Sequence, residues 1–181
     1  RKAEPVPLLR QAEQARLYNP EAPPMRELIL LRHAHAEPAA SGQDDHQRGL
    51  SATGRAEAQA AGEWLREHGL RPDRVLCSDA ARTRDTLAAL GDIGAGEVYE
   101  DASIYEASPG TLAALADANR DAERLLLVGH NPGLEQLAAL MHSGQTGDYR
   151  GMPPGGIAVL RLPVDVNIEP GIATLTRFWW P

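Results

Sequence analysis

Two arginines and two histidines stand where short apolar runs end, and their chemistry suits phosphoryl groups. Leu28-Ile29-Leu30-Leu31 runs into Arg32-His33-Ala34-His35. Arg74-Val75-Leu76-Cys77 runs into Ser78-Asp79-Ala80-Ala81-Arg82-Thr83. Leu125-Leu126-Leu127-Val128 runs into Gly129-His130-Asn131-Pro132. A guanidinium presents a planar fork of donors that matches phosphoryl oxygens. A neutral imidazole is a nucleophile near neutral pH. If the three runs are neighbouring parallel strands, Arg32, His33, Arg82 and His130 meet on one sheet edge as a cationic pocket. A helix opening at Pro132 would add unpaired backbone N–H groups and the positive end of its dipole. A lone histidine is ordinarily structural or solvated, and it is the joint pattern that singles these residues out.

The elements that must hold them alternate in type. Leu28–Leu31 is a continuous apolar run, the pattern of a strand buried on both faces. Ser51 is a candidate N-cap for a helix over about 52–68, with Ala56, Ala60 and Trp64 as packing candidates, and Gly69 stops it. A strand at 74–77 precedes a helix over about 80–90. Val98-Tyr99 reads as a short strand. Ser108-Pro109 places a cap and a first-turn proline before a helix ending near Asn119. After the Leu125 strand, Asn131-Pro132 opens a helix in the same cap-then-proline manner. Ala158–Leu162 and Ala173–Phe178 read as two strands of a hairpin. This alternation predicts a three-layer α/β fold, with a mostly parallel central sheet and helices on both faces. In such folds sites lie at the carboxyl ends of the strands.

The chain of 181 residues, 43% hydrophobic, fits one domain with a substantial core. Residues 1–24 read as an N-terminal extension or arm, with prolines bracketing a candidate helix over Leu8–Tyr18. The domain proper is expected over 25–181. The arm is a candidate for self-association, and the oligomeric state stays open. A net charge of -7 argues against a nucleic-acid partner, which needs a basic footprint. No apolar run reaches membrane-spanning length, and the one cysteine, Cys77, allows no internal disulfide. Together these suggest a cytoplasmic protein. His33 and His35 could pair on a metal, but no cysteine or carboxylate set at ligand spacing joins them, so no metal is expected.

The motifs carry a resemblance. Leu31-Arg32-His33-Ala34, Ser78-x-Ala80-x-Arg82-Thr83-x-x-Thr86 and Val128-Gly129-His130-Asn131-Pro132 resemble, in order, three signatures of the histidine phosphatase superfamily. The last has the form usual in its small SixA-like phosphohistidine phosphatases. Arg48-Gly49-Leu50-Ser51-x-x-Gly54 is similar to a further stretch, although proline is commoner at the position of Gly49. The resemblance spans about Met25 to Leu162 and implies the phosphoglycerate mutase-like fold.

It also implies roles. His33 would be the nucleophile, forming a phosphohistidine that water hydrolyses. Arg32, Arg82, His130 and Asn131 would hold the phosphate, with Arg48 a further candidate from its loop. Glu106 would be the proton donor for ester substrates. No cofactor or metal is implied, because the arginines neutralise the phosphoryl charge. Only about 20 residues separate Glu106 from the Leu125 strand, so there is no room for an inserted helical lid. An uncovered site favours a phosphorylated protein as partner, with phosphohistidine as the substrate. The alternatives are a phosphatase of small phosphorylated metabolites and a non-catalytic phosphate-binding or scaffold protein.

Overall fold

The computed structural model describes residues 23–147 and 151–181. The candidate arm helix over Leu8–Tyr18 lies outside the described residues. Six strands form one sheet: β1 (Met25–Arg32), β2 (Arg74–Cys77), β3 (Glu97–Glu100), β4 (Arg124–Gly129), β5 (Ile157–Pro163) and β6 (Thr174–Trp179). Their order is β3-β2-β4-β1-β5-β6. The first four of that order run parallel, and β5 and β6 are antiparallel to their neighbours. Four helices accompany them: α1 (Ala52–Glu67), α2 (Ala81–Ala89), α3 (Pro109–Ala118) and α4 (Gly133–Ser143).

The three layers follow from strand alternation. In β1, Leu28 and Leu30 face one way and pack with Leu112 and Ala116 of α3 and Leu134, Leu137 and Met141 of α4. Ile29 and Leu31 face the other way and pack with Ala61 and Leu65 of α1 and Leu90 at the end of α2. β4 splits likewise, Leu125 and Leu127 against Leu126 and Val128. Both faces of the central strands are thus apolar, which is why the sequence shows unbroken runs instead of alternation. Only α3 lies between Glu106 and β4, so no helical lid is inserted there. Among the described residues, no helix is long and apolar enough to cross a membrane.

Three local expectations change. The inward face of α1 is Gly54, Ala58, Ala61, Gly62 and Leu65, and Ala56 is exposed. The glycines decide this: a Cβ on Gly54 would overlap the His35 carbonyl, and one on Gly62 the Leu90 carbonyl, so α1 seats closer than larger residues allow. Trp64 instead lies at the margin, stacked on Trp179 with ring centroids 5.4 Å apart. The strand expected at Val98-Tyr99 extends over Glu97–Glu100, but all four residues are exposed at the sheet edge. Finally, α4 starts at Gly133 with no side-chain cap; Asn131 turns its amide elsewhere.

Candidate active site

The sheet order brings the three polar strand ends together. β1 and β4 pair with Arg32 opposite Gly129, and β4 and β2 pair with Val128 opposite Cys77. His33, His130 and Ser78 therefore emerge side by side at the carboxyl edge. The rings of His33 and His130 lie with centroids 5.2 Å apart. Hydroxyls of the Ser78–Thr86 stretch fix the surroundings. Thr86 Oγ1 accepts the Ala34 N–H at 3.0 Å and donates to the Arg82 carbonyl at 2.7 Å, tying the turn after His33 to α2. Thr83 Oγ1 lies 2.8 Å from both the Ser78 and Ala80 carbonyls, closing the turn from β2 into α2.

His33 is held as a neutral ring in one tautomer. Its Nδ1 lies 2.8 Å from the carbonyl of Ala34, which can only accept, so Nδ1 carries the proton and Nε2 the free lone pair. Its pKa is lowered to about 4, by burial first, with the Ala34 bond opposing and the nearby Arg82, Arg32 and Arg48 charges adding to the fall. The ring is thus neutral at physiological pH. His130 is pushed down to about 3, by burial first and then by His33 and Arg82. Its Nε2 lies 2.9 Å from Ser78 Oγ. That oxygen already accepts the Ala80 N–H at 3.4 Å, so its own hydrogen is available to His130 Nε2. With the Ser78 hydroxyl donating, His130 carries its proton on Nδ1 and that atom is a donor.

The unpartnered donors converge on the same place. Among the described residues, the buried side-chain nitrogens without a hydrogen-bond partner are Arg26 Nε, Arg32 Nε, Arg82 Nε and His130 Nδ1. Three of the four belong to residues expected to bind phosphate. A buried donor left unpaired costs about 1–3 kcal/mol, more when charged, so these donors have unmet capacity for an acceptor, while the buried Oδ1 of Asn131 lacks a donor. Arg82 is 5% exposed, and with its terminal nitrogens held by Asp45 it is Nε that lacks an acceptor.

Arg32 Nη1 donates to the Met152 carbonyl at 2.7 Å. Asn131 Nδ2 donates to that same carbonyl at 3.0 Å and to Glu135 Oε2 at 2.8 Å, so its amide donors brace the 151–156 turn. Arg48 reaches the rim, with Nε donating to Asp45 Oδ1 at 2.8 Å and Nη1 to the Glu37 carbonyl at 2.9 Å. Glu106 is exposed, follows Tyr105, and has a φ of 52°, a left-handed conformation unusual outside glycine. Gly133 lets the Ala107 carbonyl come close to the start of α4, since a Cβ there would overlap it. His35 turns to Ser51 Oγ at 2.7 Å, away from any pairing with His33.

Four site residues escaped the sequence reading. Asp45 accepts from Arg82, Arg48 and Tyr105. Tyr105 stands edge-on to His130, with ring centroids 5.4 Å apart. Met152 and Glu135 anchor Arg32 and Asn131 from the far side. Two of these carried a local signal, Asp45 by its three-residue spacing to Arg48 and Glu135 by its four-residue spacing to Asn131; the contacts of Tyr105 and Met152 join segments far apart in sequence.

Comparisons with known proteins give the family and the fold. The profile of the histidine phosphatase superfamily (branch 1) matches residues 28–135. An uncharacterized protein of Mycobacterium tuberculosis is 39% identical over 162 residues, covering 83% of this chain and 99% of its own length. A solved structure from Nakamurella multipartitia, named for phosphohistidine phosphatase SixA, superposes with a TM-score of 0.77 at 33% identity, over 88% of this chain and 99% of that one. A second, from Agrobacterium tumefaciens and named likewise, gives 0.73 at 31% identity, over 86% and 99%. With the two histidines, two arginines and their strand-end setting all in place, the chain belongs to the histidine phosphatase superfamily, on its SixA-like branch, and is a phosphatase.

Proposed function

We propose that this phosphatase hydrolyses phosphohistidine on a protein, through a phosphohistidine intermediate on His33. The observation that carries the reading is the His33 ring: protonated at Nδ1 against the Ala34 carbonyl, free at Nε2, and set among the unpartnered donors of Arg32, Arg82 and His130. Nε2 attacks phosphorus as the bond to the leaving group breaks. The proton already on Nδ1 makes the phosphorylated His33 ring cationic, a form the Ala34 carbonyl stabilises. That ring leaves readily when water attacks phosphorus in the second step, and the water's proton passes to solvent or to phosphate. Arg32, Arg82 and His130 hold the phosphoryl oxygens throughout, where most catalysis of phosphoryl transfer resides.

Two features favour a protein phosphohistidine. With α3 alone between Glu106 and β4, the pocket stays open to a side chain presented on a folded surface. A phosphorylated imidazole protonated at its other nitrogen departs as a neutral ring and needs no acid from the enzyme. The two SixA structures named above are consistent with this substrate class. The exposed position of Glu106 beside Tyr105 supports a second reading, in which Glu106 donates a proton to the alkoxide of a small phosphate ester. The single thiol, buried at Cys77 and pushed up to about 12 by that burial, suits a reducing compartment such as the cytoplasm.

The test is phosphate release from a phosphohistidine-bearing carrier protein and from a panel of phosphate esters, with wild type and His33→Ala in parallel and chelator present. Release from the carrier that His33→Ala abolishes is the expected result. Faster release from an ester would move the assignment to a metabolite phosphatase, and undiminished release by His33→Ala would overturn the mechanism.

A further inference from the structure

Asp45 lies on a short 3-10 turn, Asp45–Gln47, and gathers more polar contacts than any expected site residue. Its Oδ2 accepts from Arg82 Nη2 at 3.1 Å and from the Tyr105 hydroxyl at 2.8 Å. Its Oδ1 accepts from Arg48 Nε at 2.8 Å, and its backbone carbonyl from Arg82 Nη1 at 2.8 Å. A carboxylate held on a phosphate-binding arginine could be a plug that occupies the phosphate's place, or a clamp that aims the guanidinium. The pattern of donors decides between them. A guanidinium has five N–H bonds: two on each terminal nitrogen and one on Nε. Asp45 takes one from each terminal nitrogen, an end-on grip across the tip of the fork. The side edge, with buried and unpartnered Nε, is left for another acceptor.

We propose that Asp45 is a positioning residue that grips the tip of Arg82 and presents its side edge to the phosphoryl group. The proposal rests on the phosphatase reading of this pocket. The turn is itself anchored, because His46 Nε2 lies 2.8 Å from Asp79 Oδ1, just past the end of β2. The neighbouring ring contacts, His46 to Tyr105 at 4.9 Å and Tyr105 to His130 at 5.4 Å, continue that support to the second histidine. The Tyr105 and Arg48 bonds hold the Asp45 carboxyl at about 2, so it is an anion at every working pH and never a proton donor.

The experiment is calorimetric binding of inorganic phosphate to wild type, Asp45→Ala, Asp45→Asn, Arg82→Ala and the Asp45→Ala/Arg82→Ala double variant, with circular dichroism as the check on folding. Loss of a charge-assisted bond predicts about tenfold or greater weakening in Asp45→Ala. Asp45→Asn keeps the backbone grip and one side-chain acceptor, and should recover most of the affinity. Asp45→Ala should add little in the Arg82→Ala background, which a general loosening of structure would not reproduce. Unchanged binding by Asp45→Ala would overturn the clamp, and tighter binding would overturn it and make Asp45 a plug. Additive losses in the double variant would overturn it too. Should Asp45→Ala fail to fold, Asp45→Ser, which also removes both carboxylate oxygens, takes its place in the same cycle with Arg82→Ala. Failure of the wild type to bind phosphate would defeat the site reading, and is distinguishable because it appears before any variant is compared.

Discussion

At the scale of single residues, the environment of His33 shapes its reactivity as much as its identity does. An ordinary histidine would be half charged near pH 6.5, but burial and three arginines bring this one down to about 4. The ring should therefore titrate well below neutrality. Heteronuclear NMR of the labelled imidazole in ligand-free protein should give a midpoint near 4 with the Nδ1–H tautomer above it. A midpoint at the ordinary value would show that the pocket does not exclude water as the structure implies. Ser78 supplies a second case. With its hydroxyl donating to His130 Nε2, Ser78 would leave the His130 proton on the buried, unpartnered Nδ1. Ser78→Ala should free that tautomer and lower kcat/KM roughly tenfold, the worth of one hydrogen bond of about 1 kcal/mol or slightly more. Ser78→Thr, which keeps a hydroxyl, should retain more activity than Ser78→Ala. Equal losses would place the effect in packing.

At the scale of elements, close approach of backbones sets the site. The Gly54 N–H is capped by Ser51 Oγ at 3.0 Å, and Ser51 Oγ donates in turn to the His35 carbonyl at 3.2 Å. That places the start of α1 directly on the chain two residues past His33. Gly54→Ala would drive a Cβ into the His35 backbone and should destabilise the fold by about 1–3 kcal/mol, lowering the melting temperature by several degrees and kcat with it. Gly147→Ala, whose added Cβ meets nothing within 4 Å, is the control and should shift neither. Equal effects at the two positions would sink the close-approach argument. The same elements show what the sequence could and could not convey. β1 and β4 were legible because burial on both faces demands unbroken apolar runs, and their polar ends then marked the site. The inward face of α1 was not, because Gly54 and Gly62 carry no hydrophobic signal and work by absence of a side chain. Asp45 and Tyr105 stayed hidden for another reason: 60 positions separate them, and only the folded sheet brings a hydroxyl onto that carboxylate.

At the scale of the whole molecule, a pocket held ready for an anion should leave a mark on stability. Both site histidines are neutral in the folded protein to well below pH 5, His33 to about 4 and His130 to about 3. In the unfolded chain both return to about 6.5 and take up protons as the pH falls through that value. Below 6.5 the unfolded state thus binds more protons, and the free energy of unfolding must fall with pH. The loss starts near 6.5, continues to about 4 for His33 and about 3 for His130, and levels off below. It approaches roughly 1.4 kcal/mol per pH unit for each histidine within that window. Asp45 acts with the same direction but in a separate range. Its depressed pKa adds stability above the ordinary carboxylate value of 3.8, lost as pH falls toward about 2. The interval from pH 7 to 5 therefore isolates the histidines from this carboxylate. Urea unfolding followed by tryptophan fluorescence should show wild type losing about 1–2 kcal/mol per site histidine by pH 5. A His33→Ala/His130→Ala variant should show a markedly flatter dependence over the same interval, whatever its absolute stability. Saturating phosphate should stabilise the wild type at both pH values and the double variant far less, because ligand that binds only the folded state adds its binding free energy to stability. A double variant with the wild-type slope would mean that other groups carry the acid sensitivity and that the cationic pocket imposes no penalty on charging its histidines.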